Sequence, residues 1–333
     1  MAPREVRSDL MLLEAALSNA TSPPVLAFVL GLIAVAVKSD LRLPEALYQG
    51  LSIYLLLGIG IKGGVALSEA NANEVGLPIL GTLLLGVTIP VLAFWIVGKL
   101  TKLDAINRGA IAAHYGSTSL VTFSAALIFL DSQAVAYEGF VTTLLAILEI
   151  PGIVVGLMLA SRGLGRGLNW GESLREILTS RSIVLLAGGL FLGLITGATG
   201  YEKVETFFGG LFTGVLALFL LEMGIVAGRR LPDVKKAGVG LVVFSLGFPL
   251  LAGTLGVFVG EVTGLSLGGS VVLGVLTASA SYIAAPAAVR LALPEASPGV
   301  YLTASLGITF PFNLIFGIPI MFALGNLLEV WGF

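Results

Sequence analysis

Long apolar segments, separated by short charged or Gly/Pro-containing breaks, constrain the fold of this chain more than any other feature. A helix that crosses the hydrocarbon core of a bilayer needs about 20 apolar residues, and most of the segments approach that length. They lack the strict alternation of a membrane β-barrel. We therefore predict an all-α integral membrane protein with ten transmembrane helices. The ten spans are 24–38, 47–67, 76–99, 106–130, 138–160, 182–198, 205–228, 237–260, 267–290 and 299–329.

The composition agrees with a chain whose main partner is a lipid bilayer. Of 333 residues, 56% are hydrophobic and 11% are charged, whereas soluble domains carry about 25% charged residues. A net charge of -2 argues against a nucleic-acid partner. The absence of cysteine excludes a disulfide framework, a thiolate metal site and a cysteine nucleophile.

The distribution of Lys and Arg orients the predicted spans, because cytoplasmic loops are enriched in these residues. The side shared with the N-terminus holds Arg4, Arg7 and Lys203. The other side holds Lys38, Arg42, Lys99, Lys102, Arg108, Arg162, Arg166, Arg175, Arg181, Arg229, Arg230, Lys235, Lys236 and Arg290. We predict a multi-pass protein of the cell inner (plasma) membrane with both termini outside. The N-terminal segment 1–23 reads as an amphipathic helix at the interface, formed by Leu10 to Leu17 and closed by prolines.

Weak internal similarity divides the chain into two halves. The stretch "VLGLIAVAV" at 29–37 resembles "FLGLITGAT" at 191–199, and "STSLVTFSAAL" at 117–127 resembles "SASYIAAPAAV" at 279–289. The predicted domains are a first five-helix repeat (24–160), a cytoplasmic linker (161–181) and a second five-helix repeat (182–333). Since five is odd, the second repeat enters the membrane from the opposite side, and such inverted repeats are typical of secondary transporters.

Two polar stretches lie in corresponding spans, the fourth and the ninth, and predict broken helices. Irregular backbone at membrane depth is tolerated where it lines a cavity, and a broken helix offers free N–H groups that suit an anion. Hydroxyls and freed carbonyls suit Na⁺. A packing role for these small residues is the alternative. The candidate anion-binding residues are His114, Gly116, Ser117, Thr118, Ser119, Ser279, Ala280, Ser281, Tyr282 and Ile283.

Two further polar residues lie within predicted spans. Glu149 precedes Pro151 and Asn313 follows Pro311 at roughly corresponding places in the two halves. An acid inside a membrane span is a functional-site candidate, so we predict Glu149, Asn313, Ser279 and Ser281 as Na⁺ ligands. His114 is the only histidine and could relay a proton, bind substrate or simply be hydrogen-bonded. An intramembrane enzyme using Glu149 and His114 as acid and base is an alternative, but no nucleophile–base pair is apparent, so we predict no enzyme.

Several motifs resemble the sodium-dependent bicarbonate transporter superfamily, in a divergent bacterial branch. They are "GIKGGVAL" at 60–67, "YGSTSLVTFSAAL" at 115–127, "LEIPG" at 148–152 and "LSLGGSVVLGVLTASASYIAAPAAVRLALPEASP" at 265–298. The resemblance implies a core domain of spans three to five and eight to ten. It implies a gate domain of spans one, two, six and seven, a homotrimer, and an anion held between the two broken helices.

This chain departs from the family pattern at the second break, where Tyr282 replaces the family's aspartate and Ala284–Ala285 replaces Ser-Gly. The first break is preceded by His114–Tyr115, which the pattern lacks. The expected function is Na⁺-coupled (or H⁺-coupled) secondary transport of a small anion, with bicarbonate as the leading candidate. Alternatives are a transporter of another small organic anion and a membrane sensor that binds an anion without flux. Control by a PII-like cytoplasmic regulator is left open.

Overall fold

A computed structural model describes residues 17–164 and 167–331 of the chain, and these residues form helices without any strand. The predicted amphipathic helix of the N-terminus lies almost wholly outside the described residues. In chain order the helices are α1 (Pro23–Ala36), α2 (Glu45–Glu69), α3 (Ala72–Leu100), α4 (Ala105–Gly116), α5 (Leu120–Ser132), α6 (Val141–Ser161), α7 (Trp170–Leu178), α8 (Arg181–Glu202), α9 (Phe212–Val234), α10 (Val239–Val262), α11 (Leu267–Ala278), α12 (Ala284–Ala292) and α13 (Pro298–Val330).

Eight helical segments in the described part of the chain are long and apolar enough to cross a membrane. They are α2, α3, the α4–α5 pair, α6, α8, α9, α10 and α13, and they coincide with eight of the ten predicted spans. The first and ninth predicted spans contain shorter apolar helices, α1 with 14 residues and α11 with 12. The protein is therefore an all-helical membrane protein, as the composition predicts.

One group of helices packs through glycines. α2 lies along α8, and α1 lies along α9. Gly60 and Gly64 of α2 face Gly189 and Gly193 of α8, and a Cβ atom on Gly64 or Gly193 would overlap the partner's backbone. Small residues four positions apart let two helices approach closely where lipid removes the hydrophobic drive for association. These glycines make α2 and α8 a tight pair.

A second group of helices surrounds the polar stretches. α4 packs on α6 and α3, α10 packs on α11, and α3 lies beside α10. The approach of α4 to α6 is closest where Gly116 faces Gly152, since a Cβ on Gly152 would overlap the carbonyl of Gly116. This contact holds the end of α4 against the middle of α6.

The backbone is interrupted at both polar stretches. α4 ends at Gly116 and α5 begins at Leu120. Ser119 caps the start of α5, because its hydroxyl oxygen accepts a hydrogen bond from the amide of Thr122. α11 ends at Ala278 and α12 begins at Ala284. Short hydroxyl side chains favour such starts because they replace the missing intrahelical acceptors. α13 is continuous, but it contains π-helical segments at Thr303–Thr309 and Asn313–Gly317.

Candidate functional site at the crossing of two interrupted helices

The two interruptions meet in the interior of the protein. The amide of Ser119 donates a 2.9 Å hydrogen bond to the Ser279 hydroxyl oxygen. The amide of Ser281 donates to the carbonyl oxygen of His114 over 2.7 Å. The Ser119 hydroxyl donates to the phenol oxygen of Tyr282 over 3.3 Å. These bonds link the α4–α5 break directly to the α11–α12 break, which the sequence separates by about 160 residues.

A small cavity lies beside this crossing, with room for about one water molecule. Both breaks contribute to its wall, together with α6, α2 and the start of α8. Glu149 of α6 is the single carboxylic acid among the described residues that line it, and none of these residues is basic. The lining residues are Leu56, Thr118, Ser119, Leu120, Glu149, Ser182, Ser281, Tyr282 and Ile283.

Glu149 is 6% exposed and lies in α6, two residues before Pro151. It lines the cavity together with Ser182, the second residue of α8. α6 belongs to the helix group around the polar stretches, whereas α8 belongs to the glycine-packed group. Helices of both groups therefore meet at the cavity, where they place Glu149 and Ser182.

Helix termini with partial positive charge and helix termini with partial negative charge surround the crossing. α5 and α12 begin there, and the first N–H groups of a helix have no intrahelical acceptors. α4 and α11 end there, and their last carbonyls lack intrahelical donors. The positive ends of α5 and α12 favour an anion and the negative ends of α4 and α11 favour a cation. The arrangement can accommodate an ion pair without a basic side chain.

Two of the four predicted Na⁺ ligands line the cavity and two do not. Glu149 and Ser281 line the cavity, and the Ser281 hydroxyl also accepts from the amide of Ala285. Asn313 lies in a π-helical segment of α13 and donates from Nδ2 to the carbonyl of Ala278 over 2.7 Å. The hydroxyl of Ser279 donates to the carbonyl of Leu276 and accepts from the amide of Ser119.

Several oxygen atoms near the breaks have no hydrogen-bond partner in the described part of the protein. They are the hydroxyls of Ser117 and Thr118 and Oδ1 of Asn313. All three side chains are buried, and leaving a buried polar atom unpaired is costly. Oxygen atoms of this type are the ligands that hard cations prefer.

The remaining predicted residues contribute mainly through shape. Gly116 allows the contact with α6, Ala280 is buried within the second break, and Ile283 forms part of the cavity wall. The His114 ring does not line the cavity. Its Nδ1 donates to the carbonyl of Ala110 over 2.7 Å, and the ring stacks on Tyr301 with centroids 4.4 Å apart.

Three residues that line the cavity were not predicted from the sequence. Ser182 follows Arg181 at a helix start, where a serine normally reads as a surface cap. Leu56 and Leu120 are apolar residues in apolar helices and carry no local signal. Tyr115 is likewise fixed by distant partners, since its hydroxyl donates to Thr309 Oγ1 over 2.6 Å. Long-range packing of this kind has no sequence signature.

Comparison with known families gives one match. The model of the Na⁺-dependent bicarbonate transporter superfamily matches residues 23–326, nearly the whole chain. A comparison with curated proteins finds no match.

Proposed function

The chain belongs to the Na⁺-dependent bicarbonate transporter superfamily, and from this membership and the site geometry we propose that it couples the uptake of a small anion to Na⁺. Bicarbonate is the first candidate for the anion. Membership in a transporter family also makes an enzyme the less favoured interpretation. The proposed mechanism is alternating access around the crossing of the two interrupted helices.

The observation that carries the proposal is that Glu149 shares one cavity with both helix breaks. Two like unit charges about 4 Å apart repel by about 4 kcal/mol at an effective dielectric constant of about 20. An anion in this cavity and an ionised Glu149 therefore oppose each other. A cation bound at Glu149 removes the repulsion, so cation and anion each increase the affinity for the other.

The anion would be held by the positive ends of α5 and α12. Hydroxyl groups of Ser117, Thr118 and Ser281 would add hydrogen bonds, and Ser119, Ser279 and Tyr282 would keep the two breaks in register. A three-oxygen anion is larger than the present cavity, so binding requires a displacement of the wall. Gly116, Ala280 and Ile283 are small or apolar parts of that wall. His114 supports the crossing through its backbone carbonyl.

In this mechanism Na⁺ is a transported substrate rather than a resident cofactor. Glu149, Ser281 and the free hydroxyl of Thr118 supply oxygen atoms on the cavity side. Asn313 supplies a free oxygen at the end of α11, where the negative helix terminus favours a cation. Both positions match the preference of small hard cations for oxygen ligands.

The two packing groups are the basis for the proposed movement. α1, α2, α8 and α9 would form the gate domain, and the helices that carry the breaks would form the core domain. Each domain would contain helices from both repeats, 24–160 and 182–333, which the linker 161–181 joins. Glu149 and Ser182 would line the cavity from the core domain and the gate domain respectively, so charge changes at Glu149 would act where the core slides against the gate.

The test is uptake of labelled bicarbonate into proteoliposomes that contain the purified chain. Uptake is measured with an inward Na⁺ gradient, with the same gradient of K⁺, and with no gradient at fixed pH. We expect uptake that requires the Na⁺ gradient and falls by at least about tenfold in Ser281→Ala, because a hydroxyl and a helix cap are both lost.

Ser305→Ala provides the matched control, since this buried serine bonds only to the carbonyl of Tyr301 in its own helix. Folded protein that binds bicarbonate but shows no flux under any gradient would contradict transport and would favour the sensor. Saturable uptake of another small anion, without uptake of bicarbonate, would contradict the choice of substrate.

A further inference from the structure

The ring of Tyr282 occupies the space between the two interrupted helices and is 9% exposed. It packs against the ring of Phe310 of α13 in a T-shaped arrangement, with ring centroids 5.1 Å apart and planes at 64°. Phe310 in turn packs against Phe28 of α1, with centroids 5.4 Å apart. The phenol oxygen at the other end accepts from Ser119. The ring is therefore fixed at both ends.

A fixed aromatic ring behaves as a rigid wall. Rotation of the Tyr282 side chain would remove the contact with Phe310 and the hydrogen bond from Ser119 together. The cavity is also lined by Leu56, Leu120 and Ile283, which are aliphatic and can adopt other rotamers. A small ligand can therefore gain room by displacing these aliphatic side chains, whereas the Tyr282 ring stays in place and limits how far a ligand can extend towards Phe310.

We propose that Tyr282 sets the upper size limit of the anion, so that the site accepts a single carboxylate or carbonate group and rejects carboxylates with a longer carbon chain. The inference rests on the proposed function, because it concerns the same cavity. It assigns the specificity to the bulk of the ring rather than to the phenol hydroxyl. Bicarbonate and formate fit this class, whereas pyruvate does not.

The experiment compares Tyr282→Ala, Tyr282→Leu and Tyr282→Phe with the unchanged chain. Each purified protein is titrated with the sodium salts of bicarbonate, formate, acetate and pyruvate, and ligand-induced thermal stabilisation is recorded. Uptake of labelled pyruvate into proteoliposomes is the second readout. Tyr137→Ala is the control for loss of a tyrosine outside the cavity, because Tyr137 lies between α5 and α6 and donates to Asp131.

We expect Tyr282→Ala and Tyr282→Leu to be stabilised by pyruvate at a concentration at least about tenfold lower than the unchanged chain requires, as an added carbon group shifts discrimination by about 10–200-fold. Tyr282→Phe and Tyr137→Ala should retain the original order of anions. An unchanged order in both ring-removal variants, or no stabilisation of any protein by any of the four anions, would overturn the inference.

The two proposals fail in distinguishable ways. If the unchanged chain shows no flux but the stabilisation series shifts in Tyr282→Ala, transport is wrong and the size limit stands. If Na⁺-driven bicarbonate uptake is present but pyruvate remains excluded from both ring-removal variants, transport stands and the size limit is wrong. Tyr282→Leu keeps an apolar contact with Phe310, so the test does not depend on the folding of Tyr282→Ala alone.

Discussion

The backbone amide of Ser119 donates a hydrogen bond to the hydroxyl oxygen of Ser279, and this 2.9 Å contact joins the two interrupted helices. Ser279 donates in turn to the carbonyl of Leu276 at the end of α11. One hydroxyl thus satisfies a donor from the first break and an acceptor from the second. One of the three hydrogen bonds that join the two breaks therefore depends on the side chain of Ser279, which is 1% exposed.

Replacement of the Ser279 side chain should weaken the contact between the two breaks. Ser279→Ala leaves the buried amide of Ser119 without an acceptor, which costs about 1–3 kcal/mol. We expect a lower melting temperature in detergent and weaker anion binding. Ser305→Ala should change neither property appreciably, because the hydroxyl of Ser305 bonds to a carbonyl of its own helix and not to either break. Equal melting temperatures for the two variants would show that the Ser119–Ser279 contact does not stabilise the crossing.

Asn313 should affect both stability and the response to Na⁺. Asn313→Ala removes a free oxygen at the end of α11 and leaves the carbonyl of Ala278 without its side-chain donor. We expect half-maximal uptake to require a Na⁺ concentration at least about fivefold higher, within the usual range of coupling. Asn326→Ala in the same helix removes a comparable bond to the carbonyl of Phe322 and should leave the Na⁺ dependence unchanged. A shared change would point to a general effect on α13.

The ring of His114 should be dispensable for transport. His114→Phe keeps the stacking on Tyr301 and loses the bond to the carbonyl of Ala110, at a cost of about 1 kcal/mol. Because the ring does not line the cavity, the anion affinity and the pH profile of uptake should match those of the unchanged chain. Loss of uptake in folded His114→Phe would instead show that the imidazole takes part in the transport cycle.

The glycine contacts between α2 and α8 give a prediction about the fold. Gly193→Ala places a Cβ against the backbone of α2 and should destabilise the protein by about 1–3 kcal/mol. Gly188→Ala in the same helix meets open space, and a helical Gly→Ala change there should stabilise by about 0.5–1 kcal/mol. Melting temperatures that shift in opposite directions would agree with this packing, whereas a tolerated Gly193→Ala would contradict it.

Much of the architecture could be predicted because membrane solvation leaves strong local signals. The apolar segments predicted the long helices, and the family resemblance is confirmed by the match over residues 23–326. The clusters of hydroxyls and glycine at Gly116–Ser119 and the serines before Pro286 indicated where helices are interrupted. Irregular backbone requires such residues, so its position is visible in the sequence.

The contacts between distant elements could not be predicted. Ser182 reads as a helix cap, and only the packing of α8 beside α6 brings it to Glu149. Asn313 begins a π-helical segment of α13, and its side chain bonds to the carbonyl of Ala278, which lies 35 residues away. The direction of the His114 ring is set by Tyr301. The two-half organisation, the assignment of gate and core, and the ligand roles of individual residues stay predictions.

The most direct test of the account is the affinity for bicarbonate with and without saturating Na⁺, measured at one pH for the unchanged chain and for Glu149→Gln. Glutamine keeps the shape of the carboxyl group and removes its charge. We predict that Na⁺ raises the affinity of the unchanged chain by at least about fivefold, and that Glu149→Gln binds bicarbonate equally well with and without Na⁺. A Na⁺ effect of the same size in both proteins would contradict the account, because neutralisation of Glu149 would then not be what links the cation to the anion.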